Sequence, residues 1–342
     1  MQQSVEVAEK ETQKKLGKGI NAALYSAFFL GLAPVFGKQA INAGLAPLGV
    51  VAYRTLFATL LLFIGMLIFQ RKYLYIYPAG LIGCLIAGLT NGLGSLFYYS
   101  ALGRIDAGLG QFLYALYPFF VAFWMYLDHH PFSKLTFARL GLAIPAVYLL
   151  LQAGTGNIDP IGVFMMLAAS ALYALHLPIN QRILIDVPAP TVTLYTLTAM
   201  SVLVVPTYLF SDSNLQFPTG LDIWQPVIAL TFVTFLSRIT LFTGVKHLGG
   251  LQTSLLGLGE LFITILFSQL LLGEKLLLPQ WIGAGLLSLT IFLVSSESLS
   301  APRNNQGGWF SWFSPTPTLP QINPPDLKQE DKESITFDPD KF

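Results

Sequence analysis

Charge is what this chain has least of. Only 11% of its 342 residues are Asp, Glu, Lys or Arg, against roughly 25% in an ordinary soluble domain. By contrast, 54% are hydrophobic, and the mean hydropathy is +0.61. The few charges gather at the two ends, which predicts a polytopic membrane protein. A net charge of +1 leaves no basic patch for nucleic acid. The single cysteine, Cys84, excludes an intramolecular disulfide. His129, His130, His176 and His247 show no metal-ligand spacing, so neither a metal nor another cofactor is expected. The sequence has no Gly-x-x-x-x-Gly-Lys-Ser/Thr, His-Glu-x-x-His or Gly-x-Ser-x-Gly pattern. That argues against an ATPase and against the commonest hydrolases. The N-terminus passes into apolar sequence without a small-residue cleavage site, which predicts an uncleaved first span.

Apolar runs fill what remains. Their lengths and turn signals predict an all-α fold of ten transmembrane helices, near residues 20–40, 46–69, 78–101, 107–127, 136–152, 160–183, 190–210, 222–245, 251–272 and 279–297. Residues 1–19 form a charged N-terminal tail, and residues 299–342 a Pro-rich tail too polar to build a core. With the N-terminus inside, the inner side receives Lys10, Lys14, Lys15, Lys18, Arg71, Lys72, Lys134, Arg182, Lys246 and Arg303. The outer side receives Lys38, Arg104 and Lys275. The bias puts both termini in the cytoplasm, and no transit-peptide pattern is visible, so a bacterial inner membrane is expected.

The chain also repeats itself weakly. Pro34-Val-Phe-Gly-Lys38 aligns with Pro178-Ile-Asn-Gln-Arg182, each followed by a proline opening the next span, Pro47 and Pro190. Ala101-Leu-Gly-Arg104 aligns with Gly244-Val-Lys-His247, which sets Tyr117-Pro118 opposite Glu260-Leu261. Two five-helix repeats, 20–152 and 153–298, follow. An odd span count inverts the second against the first, an architecture of secondary transporters.

The turn Gly273-Glu274-Lys275, the following Gln280-Trp-Ile-Gly-Ala284 and the segments before the fourth and ninth spans resemble EamA-type drug/metabolite transporters. The resemblance covers about residues 20–297. It implies a ten-helix carrier of small metabolites, often an exporter, and does not name the substrate. Asp128-His129-His130-Pro131-Phe132 stands in the first repeat where the second has its Gly-Glu-Lys turn, so no shared role is assigned there.

A carrier needs polar groups inside its apolar bundle. Glu260 is the most telling, because a charge at the centre of a spanning helix costs about 2.5–3.5 kcal/mol. Arg54 and Arg238 are the other intramembrane charges, and a structural pair of either with Glu260 is the plain alternative to a site. Tyr98, Gln111, Tyr114, Tyr173, His176 and Asn180 complete the candidate substrate site; each has an ordinary reading as interface anchor or packing glue. In the ninth span Thr253, Gly257, Glu260 and Thr264 share one helical face. Lys38, Arg182, Glu274 and Lys275 read as solvated ends. A carboxylate with a guanidinium suits a zwitterion such as an amino acid, and the carboxylate is a candidate for proton coupling. A permease by alternating access is therefore expected, with a membrane-embedded acyl or lipid enzyme and a receptor or scaffold as the alternatives.

Overall fold

Proline and glycine punctuate the apolar runs as their backbone chemistry requires. Pro47, Pro78 and Pro160 open helices, where a missing N–H costs nothing. Asp159 caps the last of these, its Oδ1 accepting from the Ile161 N–H at 2.9 Å. Gly273 ends another in the left-handed region, at φ +68°.

The computed structural model describes residues 2–127, 159–211, 220–257, 259–274 and 277–295, with 142, 145, 146 and 149. In chain order its helices are α1 (Gln2–Asn42), α2 (Pro47–Phe69), α3 (Pro78–Leu102), α4 (Ala107–Tyr114) and α5 (Tyr117–Leu127). Then come α6 (Pro160–Ile183), α7 (Ala189–Leu209), α8 (Leu221–Leu248), α9 (Gly250–Gly257), α10 (Glu260–Leu272) and α11 (Leu278–Ser295). A 3₁₀ turn, Arg71–Leu74, joins α2 to α3, and no strand occurs among the described residues.

Among the described residues seven stretches are long and apolar enough to cross a membrane: Lys15–Asn42, Pro47–Phe69, Pro78–Leu102, Ala107–Trp124, Pro160–Ile183, Ala189–Leu209 and Leu221–Leu248. Glu260–Leu272 is a shorter apolar helix. Phe63, Ile82, Phe164, Val202, Phe232 and Leu270 stand exposed around the outside. In water that would be an oversized apolar surface, and in lipid it is ordinary.

The tail before residue 20 is helical from Gln2 and continuous with the first span. The spans expected at 107–127 and 251–272 are each two helices, α4–α5 and α9–α10. Most of 136–152, all of Asp128–Phe132 and the tail from 299 lie outside the described residues.

The two halves pack through each other, and their contacts recur with the halves exchanged. Helix α1 packs on α8 as α6 packs on α3; α1 meets α9 and α10 as α6 meets α4 and α5; α2 packs on α7. Where α1 crosses α10 a Cβ on Gly31 would stand 2.6 Å from the Glu260 carbonyl oxygen, so only glycine permits the approach. Thr264 Oγ1 donates to the Gly31 carbonyl at 2.7 Å across the same crossing.

Side chains then tie the helix ends. Lys38, expected in solvent, donates to the Leu102 and Ile105 carbonyls at 2.7 and 2.9 Å, where α3 leaves acceptors unfilled. Glu274, also expected in solvent, accepts from the Ala107 and Gly108 N–H groups, both at 2.9 Å, and so caps α4. Arg104 and Asp159 form an ion pair at 2.8 Å beside them. At the opposite end Gln181 Oε1 accepts from the Gly250 N–H at 2.7 Å and caps α9. Thr191 and Tyr195 there donate to the Tyr73 and Leu74 carbonyls at 2.9 and 2.7 Å.

Candidate functional site

Both broken spans break at mid-depth, for different chemical reasons. Pro118 has no N–H, so the carbonyl of Tyr114, four residues earlier, loses its helical donor. Ser170 of α6 replaces it, its Oγ donating to that carbonyl at 2.9 Å. Tyr117 opens α5, and its hydroxyl crosses to the other repeat to donate to the Ser254 carbonyl at 2.8 Å. In the second repeat the break lies between Gly257 and Glu260. Gly257 and Gly259 flank it, and glycine is the weakest helix former short of proline. Tyr117-Pro118 and Glu260-Leu261, set opposite each other by sequence, are thus the first residues of α5 and α10.

Three charged side chains are buried here among the described residues: Arg54 and Arg238, each 5% exposed, and Glu260, 1% exposed. Arg54 of α2 donates to Thr234 Oγ1 and Ser95 Oγ, both at 3.2 Å, and its guanidinium lies 4.6 Å from the Tyr99 ring centroid. Arg238 of α8 donates to Asn91 Oδ1 at 3.4 Å and stands 5.8 Å from the Tyr173 ring. Glu260 has the Gln111 amide as its hydrogen-bonding neighbour and lies within electrostatic reach of Arg238. The alternative of a structural pair is not realised, since neither arginine meets Glu260 within 4 Å among the described ion pairs. Each guanidinium is held instead by neutral oxygens and aromatic faces.

Aromatic rings join these groups. Tyr98 packs on Tyr114 at 4.9 Å between centroids, Tyr114 on Tyr173 at 5.2 Å, and Tyr173 on the His176 ring at 4.7 Å. Tyr98 donates to Gln111 Oε1 at 3.4 Å. His176 Nδ1 contacts the Tyr173 carbonyl, and Asn180 Nδ2 donates to the His176 carbonyl at 2.8 Å. The nine sequence candidates therefore form one connected cluster, drawn from α2, α3, α4, α6, α8 and α10. Asn180 is its most peripheral member, linked through backbone alone.

Tyr99 and Tyr117 belong to the cluster and were not among the candidates. Tyr99 is one residue from Tyr98, about 100° round the helix, so a one-face search passes over it. Tyr117 had a signal in its alignment with Glu260. Thr264, on the expected face of the ninth span, serves the α1 crossing instead, because the break separates it from Thr253.

The cluster is closed yet incomplete. Arg54 Nε, Arg238 Nη1, Gln111 Nε2, Glu260 Oε1, Tyr99 Oη, His176 Nε2, Asn180 Oδ1 and Thr253 Oγ1 are buried without a well-formed hydrogen bond. A native core leaves few such atoms, and each costs about 1–3 kcal/mol. Thr253 stands apart from the rest, against Gly244 at the crossing of α1 and α8, and the other seven belong to the cluster. Among the described residues no group of His, Cys, Asp and Glu could hold a metal ion.

The model of the EamA-like transporter family matches the chain twice, over residues 17–152 and 160–296. No curated protein matches it. A solved crystal structure, described only as that of a protein, aligns with a TM-score of 0.62 at 15% identity. It covers 82% of this chain and 96% of its own, a likeness of fold alone.

Proposed function

The chain belongs to the EamA-like transporter family, integral multi-pass membrane proteins that move small molecules, and we propose on that footing that it is a secondary carrier of small polar metabolites such as amino acids, working as an exporter by alternating access. The observation that carries this reading is the convergence of nine polar and aromatic residues from six helices, eight buried and Tyr114 partly so, on the two mid-depth breaks. Discontinuous helices around a midplane site are how many carriers expose backbone polarity to a substrate without exposing it to lipid.

The same reading takes the fold as ten spans in two inverted repeats. Its support is the exchange pattern of the packing, α1 on α8 as α6 on α3, and the Arg104–Asp159 pair. Helix α4 leaves from the Arg104 end, yet α6 starts beside Arg104 again, so an even number of crossings separates the two. The charge bias puts both termini in the cytoplasm of a bacterial inner membrane. Glu260, buried with an unpartnered oxygen, is the residue placed to exchange a proton for the substrate.

Counterflow in reconstituted vesicles without ATP tests the function. Vesicles preloaded with an unlabelled mixture of amino acids and organic acids should accumulate the labelled compounds faster than empty ones; Glu260→Gln should keep this exchange and lose uptake driven by a proton gradient. Equal uptake by loaded, empty and protein-free vesicles would remove the carrier reading for this substrate class.

A further inference from the structure

Two cations and one anion share the buried cluster, and the cations lack a carboxylate of their own. Arg54 and Arg238 are near enough to repel each other. Their hydrogen-bond partners, Ser95, Thr234 and Asn91, are neutral. Their flat faces are taken by Tyr99 and Tyr173, which fixes the guanidinium planes and leaves their edges to donate. One edge donor on each, Arg54 Nε and Arg238 Nη1, has no acceptor, and both side chains are 5% exposed. The Gln111 amide lies beside them, with the Glu260 carboxylate as its neighbour.

A purely structural arginine would sit otherwise. A guanidinium buried without a counter-ion costs several kcal/mol, and two facing each other add repulsion. Nothing in helix packing requires that, since apolar residues would fill the volume at lower cost. Fixed, planar, unpaired donors converging from two helices are what an oxyanion needs, because a carboxylate or phosphate accepts at several oxygens.

We propose that Arg54 and Arg238, with Gln111 beside them, form the seat of an oxyanion, so that the carried substrate is an organic acid of net negative charge. This rests on the carrier reading above and narrows it. Among the described residues the buried charges are two guanidinium groups against one carboxylate, an excess of one positive charge that a zwitterion leaves uncompensated and a carboxylate or phosphate ester cancels. Glu260 keeps the proton-exchange part given to it above and leaves the seat to the arginines.

Thermal unfolding of the purified full-length protein, backed by titration calorimetry, tests this with four probes: succinate, glycerol 3-phosphate, alanine and tetramethylammonium. Succinate or glycerol 3-phosphate should raise the melting temperature saturably, and whichever does so identifies the acid as carboxylate or phosphate. Arg54→Gln and Arg238→Gln should each weaken that binding about tenfold or more, the worth of one charged hydrogen bond. Arg→Lys at either position should give an intermediate loss, which keeps the test open if the glutamine variants fail to fold. Glu260→Gln should tighten anion binding, because it removes the one negative charge that competes for the seat. Binding of alanine that Glu260→Gln abolishes, binding of tetramethylammonium alone, or no binding of either anion would each overturn the assignment. The first two would leave the carrier reading standing, since counterflow tests that separately.

Discussion

The broken spans of the two repeats occupy the same place and are built to different tolerances. In the first, the bend is over-determined: Pro118 removes a donor, Ser170 replaces it, and Trp124 Nε1 ties α5 to α6 by donating to the Ala171 carbonyl at 3.1 Å. In the second, glycines flank the bend, its first helical residue is a carboxylate with an unpartnered oxygen, and α10 is held to α1 across bare backbone at Gly31. Proline with a matched hydroxyl makes a rigid corner, whereas glycine permits several corners. The first repeat therefore sets Tyr98, Tyr99, Tyr114 and Tyr117 beside a rigid corner, and the second sets Glu260 at a corner that glycine leaves freer.

The largest test of that contrast is Gly31→Leu. Its side chain would enter the Glu260 carbonyl and Ile263, overpacking that should cost about 3 kcal/mol or more and lower both membrane yield and melting temperature. A normal melting temperature would mean that α1 does not clamp α10. The corresponding test of the rigid corner is a double-mutant cycle. Ser170→Ala strands the Tyr114 carbonyl and should cost about 1–2 kcal/mol. In Pro118→Ala the restored N–H takes over that carbonyl, so the double variant should recover most of the loss while transport falls about tenfold or more. Simple additivity would show that the hydroxyl and the proline do not act together.

Smaller effects are expected at the helix caps. Glu274→Ala removes a charged acceptor from two N–H groups and should cost about 1 kcal/mol by thermal unfolding; Gln181→Ala, losing one neutral bond, should cost about half that. Equal losses would erase the distinction between the two ends. Smallest is Asp159→Asn, which keeps the cap on α6 and removes only the ion pair. The hydrogen bond from Arg104 holds the Asp159 carboxyl below the usual aspartate range. Its contribution is therefore complete above the ordinary value of about 4 and disappears as pH falls through the depressed one. Comparing melting temperatures of variant and wild type should show a slight loss at neutral pH that vanishes in acid and shrinks with salt.

Much of this was legible in sequence for a physical reason. Lipid forces long apolar runs, so the spans stood out by length alone, and a charge inside one is costly enough to mark its own importance, as Arg54, Arg238 and Glu260 did. The breaks were not legible. An apolar run reads the same whether or not the helix continues through it, and Pro118 gains its effect from Ser170, more than fifty residues away. The capping roles of Lys38 and Glu274 were hidden likewise, since a charge at a span end looks solvated until its distant partner is placed. Position in the sequence also suggested an Arg–Glu pair, but geometry gave the arginines neutral oxygens and tyrosine faces.

The cap on α4 also constrains how the protein is made. Glu274 follows Ala107 by 167 residues. At ordinary rates of synthesis the ribosome needs roughly 10–30 s to reach it after α4 has emerged. For that interval the first N–H groups of α4 must be served by water or by the insertion machinery. The first repeat enters the membrane early and matures late, completed by a residue of the second.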